Sequence, residues 1–341
     1  MKTLVMDIGG THFRSGIFTE DKKILGLEKF NTPNFINNPS ISIKNLQELL
    51  IKAITETVKK NQEKYRDINS VGLSFAGPVT KSGIVRSAAT IWGKHGHNYP
   101  IYRRLKKEIS NVRWVIVNDI TAATERYGQM NKYKSMDFIC VVTISSGVGN
   151  KIFDISNRKT ILDRMSVGGE LGHIQYNLSK SSPRCDCGGK GHVSSFSSGR
   201  AMERLTIETA KKKNKSYEES ILRTLVEKPE NINNKLIIQA LKMSDKFTLD
   251  ILNVATFPIA YSINYLSGAV GINRFIFIGG FALNLGDIYI NSLKKSLNKI
   301  AFFHRTRKEV TELVELGIND DMDCLIGVGL LSQKQYAEAR Q

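Results

Sequence analysis

No stretch of the 341 residues stays apolar for the about 18 positions that a membrane-spanning helix needs. The N-terminus lacks the basic stretch, apolar run and small-residue cleavage site of a secretory signal. Met1 leads instead into Thr3-Leu4-Val5-Met6, which reads as a buried strand. Four cysteines are too few to staple a chain of this length with disulfides. These absences point to a cytoplasmic protein with no membrane partner. No Pro-rich or Gly/Ser-rich linker interrupts the sequence, and no repeat of fixed short period is visible. Acidic residues are also few, 32 Asp and Glu against 49 Lys and Arg, for a net charge of +17. That charge raises the question of a nucleic-acid partner. The cations are spread along the chain, however, with Lys211-Lys212-Lys213 the one sharp cluster, so no specific nucleic acid is expected. A diffuse positive field suits an enzyme of anionic substrates, because it concentrates nucleotides near a cleft.

What is present is an ordinary globular composition, 41% apolar and 24% charged. The chain exceeds the length one hydrophobic core usually sustains, so two domains are expected. Strands followed by glycine-bearing turns recur. Leu4–Asp7 runs into Gly9-Gly10, and His12–Phe18 alternates as a hairpin partner would. Ile43–Gln62 carries apolar residues at helical spacing. Ser70–Phe75 is a strand that must turn at Gly77-Pro78, and Trp114–Asn118 is a strand followed by a helix over Asp119–Tyr127. The pattern begins again with strand Phe138–Ile144, the loop Ser145-Ser146-Gly147-Val148-Gly149 and a strand over Lys151–Ile155. Helical sequence fills Ser198–Glu227 and Asn233–Gly268. Arg274–Ile278 is a strand entering Gly279-Gly280, and Gly286–Asn298 reads as a helix. Two successive units of hairpin, turn and helix predict a duplicated α/β architecture.

Three features carry chemistry. In Asp7-Ile8-Gly9-Gly10-Thr11-His12-Phe13-Arg14 the paired glycines let the backbone approach a phosphate, Thr11 adds a hydroxyl, and Asp7 suits Mg²⁺. A plain hairpin turn would use the same glycines. Ser145–Gly149 is a second candidate loop, and Gly279-Gly280 a third glycine turn for the nucleotide-base side. Asn118-Asp119 sits where a strand gives way to a helix, the position at which ligands gather in open α/β sheets. An Asp there is equally a helix N-cap. Finally, His173, Cys185, Cys187 and His192 fall within twenty residues and offer the N₂S₂ set zinc prefers, although a Cys-x-Cys pair alone is often incidental.

In order and spacing these segments resemble the actin–hexokinase–Hsp70 superfamily and, more narrowly, the ROK family of repressors and sugar kinases. The first loop matches the family's DxGGTxxRxG pattern through Asp7, Gly9, Gly10, Thr11, Arg14 and Gly16. The resemblance runs from Asp7 to about Gly329 and implies a two-lobed actin-like (ribonuclease H-like) ATPase fold with a central cleft. The N-terminal lobe would cover residues 1–120, joined by a C-terminal helix over 325–341; residues 121–324 would form the C-terminal lobe with its His/Cys loop. It further implies a sugar kinase using ATP and Mg²⁺, with Asp119 as general base. Asn118, Glu170, His173 and Gly77 become candidates for the sugar. Asp7, Gly9, Gly10, Thr11, Arg14, Ser145, Ser146, Gly147, Gly279 and Gly280 become candidates for nucleotide and Mg²⁺. His173, Cys185, Cys187 and His192 would hold a structural Zn²⁺, and a homodimer or homotetramer is expected.

The sequence departs from the family in four places. The second loop usually reads Gly-Thr-Gly-x-Gly-Gly-Gly, but here Ser146 replaces the threonine and Lys151 a glycine. His192 stands where the family has a third zinc-binding Cys. Ser194 replaces a Glu that contacts the sugar near its anomeric end, so the loss of a charge-assisted hydrogen bond should alter sugar recognition. The segment Ser87–Tyr99 is also atypical, and its Trp92, His95, His97 and Asn98 either replace lost contacts or form an exposed loop. ROK regulators carry a DNA-binding domain ahead of the first loop, for which a loop starting at Asp7 leaves no room. A sugar-binding protein without turnover is the remaining alternative.

Overall fold

The computed structural model describes residues 2–93, 96–165, 168–212 and 215–338. The chain divides into two units, the first from residues 1–132, 158–168 and 320–341, the second from 133–157 and 169–319. His95, Lys213 and the last three residues of the expected C-terminal helix lie outside the described residues. No described helix is long and apolar enough to cross a membrane.

The first unit is built on a five-stranded sheet of order β3-β2-β1-β4-β7, formed by β1 (Thr3–Ile8), β2 (His12–Phe18), β3 (Ile24–Asn31), β4 (Ser70–Phe75) and β7 (Arg113–Asn118). β1 pairs antiparallel with β2 and parallel with β4, which pairs parallel with β7. Alternate residues of β1 serve different faces, as the pleat requires. Leu4, Met6 and Ile8 join one cluster with α1 (Ile43–Lys64), whose Leu46, Leu50, Ile54 and Val58 recur every four residues and are buried. Val5 joins another with Phe18, Ala122, Leu325 and Val328, from α4 (Asp119–Gly128) and the C-terminal helix α14 (Asp323–Glu338). The first unit therefore keeps the whole of α4 rather than dividing at residue 120. It also takes in the two-residue β10 (Lys159–Thr160), because buried Glu125 of α4 accepts hydrogen bonds from the Thr160 N–H and hydroxyl.

The described residues of the segment over Ser87–Tyr99 are partly core and partly exposed. They form a small hairpin, β5 (Val85–Ser87) and β6 (His97–Tyr99), enclosing α2 (Ala89–Trp92); α3 (Ile101–Glu108) follows. Trp92 is buried with its ring 5.5 Å from Phe75 and 5.3 Å from Tyr99, so it is core. His97 and Asn98 are exposed.

The second unit has a comparable strand order, β9-β8-β11-β12, from β8 (Phe138–Ile144), β9 (Val148–Asp154), β11 (Arg274–Ile278) and β12 (Val314–Leu316). Here too an antiparallel hairpin is followed by parallel strands. The expected strand over Lys151–Ile155 begins earlier, because pairing resumes directly with Ile144 opposite Val148. The loop is therefore only Ser145–Gly147. The helical sequence expected over Ser198–Glu227 is present as α6 (Gly199–Lys211), α7 (Lys215–Glu218) and α8 (Ile221–Leu225), preceded by α5 (Ser194–Ser197). The helical sequence expected over Asn233–Gly268 forms α9 (Asn234–Lys242) and α10 (Lys246–Val270): Ser244 takes φ +63°, and Asp245 caps α10 by accepting from the Thr248 N–H at 3.0 Å. α11 (Gly280–Leu285), α12 (Asp287–Leu297) and α13 (Arg307–Glu312) complete the unit. Its core gathers Cys140, Val142, Phe275 and Phe277 with Ala255, Ile259, Tyr289 and Leu293.

The contact between α4 and α14 depends on one glycine. A Cβ at Gly327 would fall 1.6 Å from the Ala122 carbonyl oxygen. Gly327→Ala must push the two helices apart and is expected to cost roughly 2–3 kcal/mol, as overpacking does. A thermal melt followed by circular dichroism checks this; an unchanged Tm would mean that the helices are not packed this closely.

Candidate active site and metal centre

In the first unit, the parallel register puts Asp7 opposite Ser74 and Phe75 opposite Asn118, so the C-terminal ends of β1, β4 and β7 lie side by side. Asp7 is buried, and both its oxygens are engaged. Oδ1 accepts from the Ser74 hydroxyl at 2.7 Å and Oδ2 from Arg14 Nη2 at 2.6 Å. Arg14 is thus an ion-pair partner of Asp7, and it also pairs with Asp321. The turn over Gly9, Gly10 and Thr11 is braced by the segment after β3. Thr32 Oγ1 donates to the Gly9 carbonyl at 2.8 Å, Asn34 Nδ2 to that of Gly10 at 2.9 Å, and the Thr32 N–H to that of Thr11. Thr32, Asn34 and Ser74 have no motif around them, and only the fold brings them here. The Asp7 donor set, a hard carboxylate and a hydroxyl beside a braced glycine turn, fits Mg²⁺.

Asn118 and Asp119 divide the two tasks that the sequence left open. Asn118 is the N-cap of α4: its Oδ1 accepts from the N–H groups of Ile120 and Thr121, and its Nδ2 donates to the Gly77 carbonyl and to Asp119. The side chain proposed for the sugar is thereby filled with protein partners, and Gly77 is tied to it. Asp119 Oδ1 accepts from the Ile120 N–H at 2.8 Å and from Asn118 at 2.7 Å. Its Oδ2 has no hydrogen-bond partner among the described residues. Desolvation by burial, followed by the negative charge of Asp7, pushes the Asp119 carboxyl up to about 7, against the opposing pull of its hydrogen bonds. A carboxylate so poised matches a general base working near neutral pH.

In the second unit, the loop Ser145–Gly147 is closed by a hydrogen bond from the Ser145 N–H to the Gly147 carbonyl, and the Ser145 carbonyl accepts from the Gly199 N–H at the start of α6. Gly279 packs against the same strand end: φ is +91°, and a Cβ would meet the Ile144 carbonyl oxygen at 2.6 Å. Gly280 follows it as the first residue of α11. Ser194 lies beside this loop, its Oγ 3.9 Å from where a Cβ on Gly147 would be. The two elements are therefore neighbours, which their separation in sequence hides. Lys151 is a buried residue of β9 and runs alongside Gly169, where a side chain would collide with it.

Glu170 and His173 sit in a turn fastened to β9, since Asn150 Oδ1 accepts from the Leu171 N–H and the Asn150 N–H donates to the Gly169 carbonyl. His173 Nδ1 faces Cys185 Sγ at 3.6 Å, and Cys187 Sγ is 3.3 Å from His192 Nδ1. The four candidate ligand atoms lie within 4.8 Å of one another. Tetrahedral Zn–N and Zn–S bonds imply N···S edges of about 3.5 Å, so this set fits zinc. The other His173 nitrogen, Nε2, is 3.8 Å from the Glu170 carboxylate.

Among proteins of known structure, a ROK family glucokinase from Streptomyces griseus in complex with glucose and AMPPNP superposes with a TM-score of 0.75 over 98% of this chain and all of its own, at 24% identity. The fold class is that of the two-lobed, actin-like ATPases. The sequence matches the ROK family over residues 3–335, and the chain belongs to that family. A C(7)-cyclitol 7-kinase from Streptomyces hygroscopicus is 29% identical, covering 99% of this chain and 95% of that protein. A glucokinase from Thermotoga maritima is 26% identical, covering 87% of each.

The raised Asp119 carboxyl also has a thermodynamic signature. An unfolded Asp titrates near 4, so between about pH 4 and 7 the folded state holds the proton that the unfolded state releases. This contribution to stability is present below that window and is lost as pH rises through about 7. Asp119→Asn should therefore melt at a higher temperature than wild type at pH 8, with the difference shrinking toward pH 5. Equal melting temperatures at pH 8 would show that the carboxylate is not held in a costly environment.

Proposed function

We propose that the protein is an ATP-dependent kinase that phosphorylates a hydroxyl of a ring polyol, with Asp119 as the general base. The observation that carries this reading is a carboxyl of about 7, with Oδ2 free of hydrogen bonds among the described residues, next to the Asp7 turn. Phosphoryl transfer asks the protein mainly for positioning and charge stabilisation. Asp119 Oδ2 takes the proton of the attacking hydroxyl, and Asn118 holds Asp119 and the start of α4 in place. The backbone of Gly9, Gly10 and Thr11 cradles phosphate, as Ser145, Ser146 and Gly147 do in the second unit, with Gly279 and Gly280 toward the base. Asp7, steadied by Arg14 and Ser74, would hold Mg²⁺, which when bound neutralises phosphate charge. Glu170, His173 and Gly77 are the residues assigned to the acceptor. His173, Cys185, Cys187 and His192 would hold a structural zinc, leaving no open position for chemistry there.

Within that class we favour a C7-cyclitol over glucose. A cyclitol has no ring oxygen and no anomeric hydroxyl, so a carboxylate at the anomeric end has nothing to select. Ser194, neutral and short, suits such an acceptor, and the cyclitol kinase from Streptomyces hygroscopicus aligns over nearly the whole chain. We further propose a cytoplasmic homo-oligomer. The exposed Val254, Tyr261 and Tyr265 on one side of α10 leave apolar surface for a second copy.

Coupled ADP release with Mg-ATP across glucose, mannose, N-acetylmannosamine and C7-cyclitols tests this reading. Turnover should be fastest with a cyclitol and fall below about pH 7 as Asp119 is protonated, and Asp119→Asn should lose roughly 10²–10⁴-fold in kcat. Acceptor binding without ADP release from any of them would make the protein a binding protein instead. For the metal, elemental analysis should find one zinc per chain, and Cys187→Ser should lower both zinc content and Tm. A metal-free wild-type protein of undiminished Tm would remove zinc from the account.

A further inference from the structure

The turn that leads into α14 carries three aspartates, Asp320, Asp321 and Asp323, and each has a cationic or hydroxyl partner in the first unit. Arg126, a buried residue of α4, pairs with both oxygens of Asp320 at 2.6 Å and with Asp323 at 2.8 Å. The Tyr127 hydroxyl donates to Asp323 as well. This clamp fixes the turn on the helix that begins with Asp119. Between the two clamped residues, Asp321 adopts φ +58°, a left-handed conformation unfavourable for a residue with a Cβ. In that conformation its carbonyl and its carboxylate both receive Arg14 Nη1, while Nη2 of the same guanidinium holds Asp7. The strained residue therefore grips the cation that grips the metal-binding carboxylate.

We propose that Asp321 is a positioning residue for the metal–nucleotide end of the site, acting on Asp7 through Arg14. The inference rests on the kinase reading above. Arg14 alone against Asp7 would neutralise that carboxylate and draw it away from a divalent cation. Shared between Asp7 and Asp321, the guanidinium orients Asp7 through one arm while the trio keeps a net negative charge. The Asp321 side chain is 84% exposed, whereas those of Arg14 and Asp7 are only 15% and 11% exposed, and Arg14 is the side chain that contacts both aspartates. The other charged or titratable groups nearby are Asp119, Asp323 and the Cys324 thiol, whose Sγ donates to the Asp119 carbonyl.

The test is Mn²⁺ binding to the protein–ADP complex, read from the electron paramagnetic resonance of free Mn²⁺, so that turnover is not required. Asp321→Asn keeps a residue tolerant of the left-handed conformation and removes the charge. Asp321→Gly removes the side chain and relieves the strain. Both variants should bind Mn²⁺ about fivefold more weakly, the effect of losing one partly screened charge at this range. Metal-free ADP binding should be unchanged, and the Tm of Asp321→Gly no lower than wild type. Undiminished Mn²⁺ binding in both folded variants would overturn the proposal and leave the kinase reading intact. Wild-type protein that binds no Mn²⁺–ADP would overturn both. A fall in Tm for Asp321→Asn with full Mn²⁺ binding by Asp321→Gly would make the residue merely structural.

Discussion

The parallel register of β1, β4 and β7 is the constraint on which the first unit turns. With Asp7 opposite Ser74 and Phe75 opposite Asn118, the ends of three strands deliver two carboxylates, a hydroxyl and a helix cap to one edge of the sheet. Side chains alternate between the two faces of a strand, so a slip of one residue would turn Asp7 to the opposite face and exchange the two apolar sets that its neighbours fill. The burial of Leu4, Val5, Met6 and Ile8 fixes the register, since both faces of β1 are covered. Packing thus enforces a juxtaposition that electrostatics opposes. Burial first, and then the charge of Asp7, raises the Asp119 carboxyl, while Arg14 offsets the repulsion at Asp7.

Much of this was legible in the sequence. The Asp7 turn, the Asn118-Asp119 junction and the four zinc-type ligands lie in short contiguous motifs, and each arises where a strand ends or a turn tightens. Strands β2, β4, β8 and β11 matched their expected bounds because their apolar runs are bracketed by glycine or polar turns. The sequence could not say which of Asn118 and Asp119 caps α4, since both types cap well; the backbone gives the task to Asn118. Nor could it reveal the bracing set. Thr32, Asn34, Ser74 and Asp321 are ordinary polar residues up to some 300 positions from what they hold, and no local pattern marks them. Trp92 misled for the opposite reason: an aromatic among histidines suggests a contact surface, but a hairpin folds it against Phe75.

In the second unit the same strand logic carries a different cargo. Its hairpin turn holds serine hydroxyls and backbone groups in place of carboxylates. β9 does double duty, with Val148 and Gly149 beginning immediately after the loop and Asn150 fastening the turn that carries Glu170 and His173. Only two residues separate those last two side chains. One ring nitrogen of His173 faces Cys185 in the N₂S₂ set and the other looks to Glu170, so a metal bound there would fix the orientation of the ring. Under the role proposed for His173 toward the acceptor, a structural ion would govern recognition without touching substrate.

Two of the departures from the family pattern, Ser194 and Lys151, lie in the second unit, whereas the Asp7–Arg14 pair and the Asn118 cap belong to the first. Ser194 lies beside the loop at Gly147, and Lys151 is buried in β9 opposite Val141 and alongside Gly169. Neither residue takes part in the register of β1, β4 and β7, in the Asn118 cap or in the Asp7–Arg14 pair. Under the proposed kinase reading, an acceptor-side residue such as Ser194 can differ without touching the first-unit contacts that hold Asp7 and Asp119. That favours an unusual polyol over a lost activity behind the missing carboxylate at position 194.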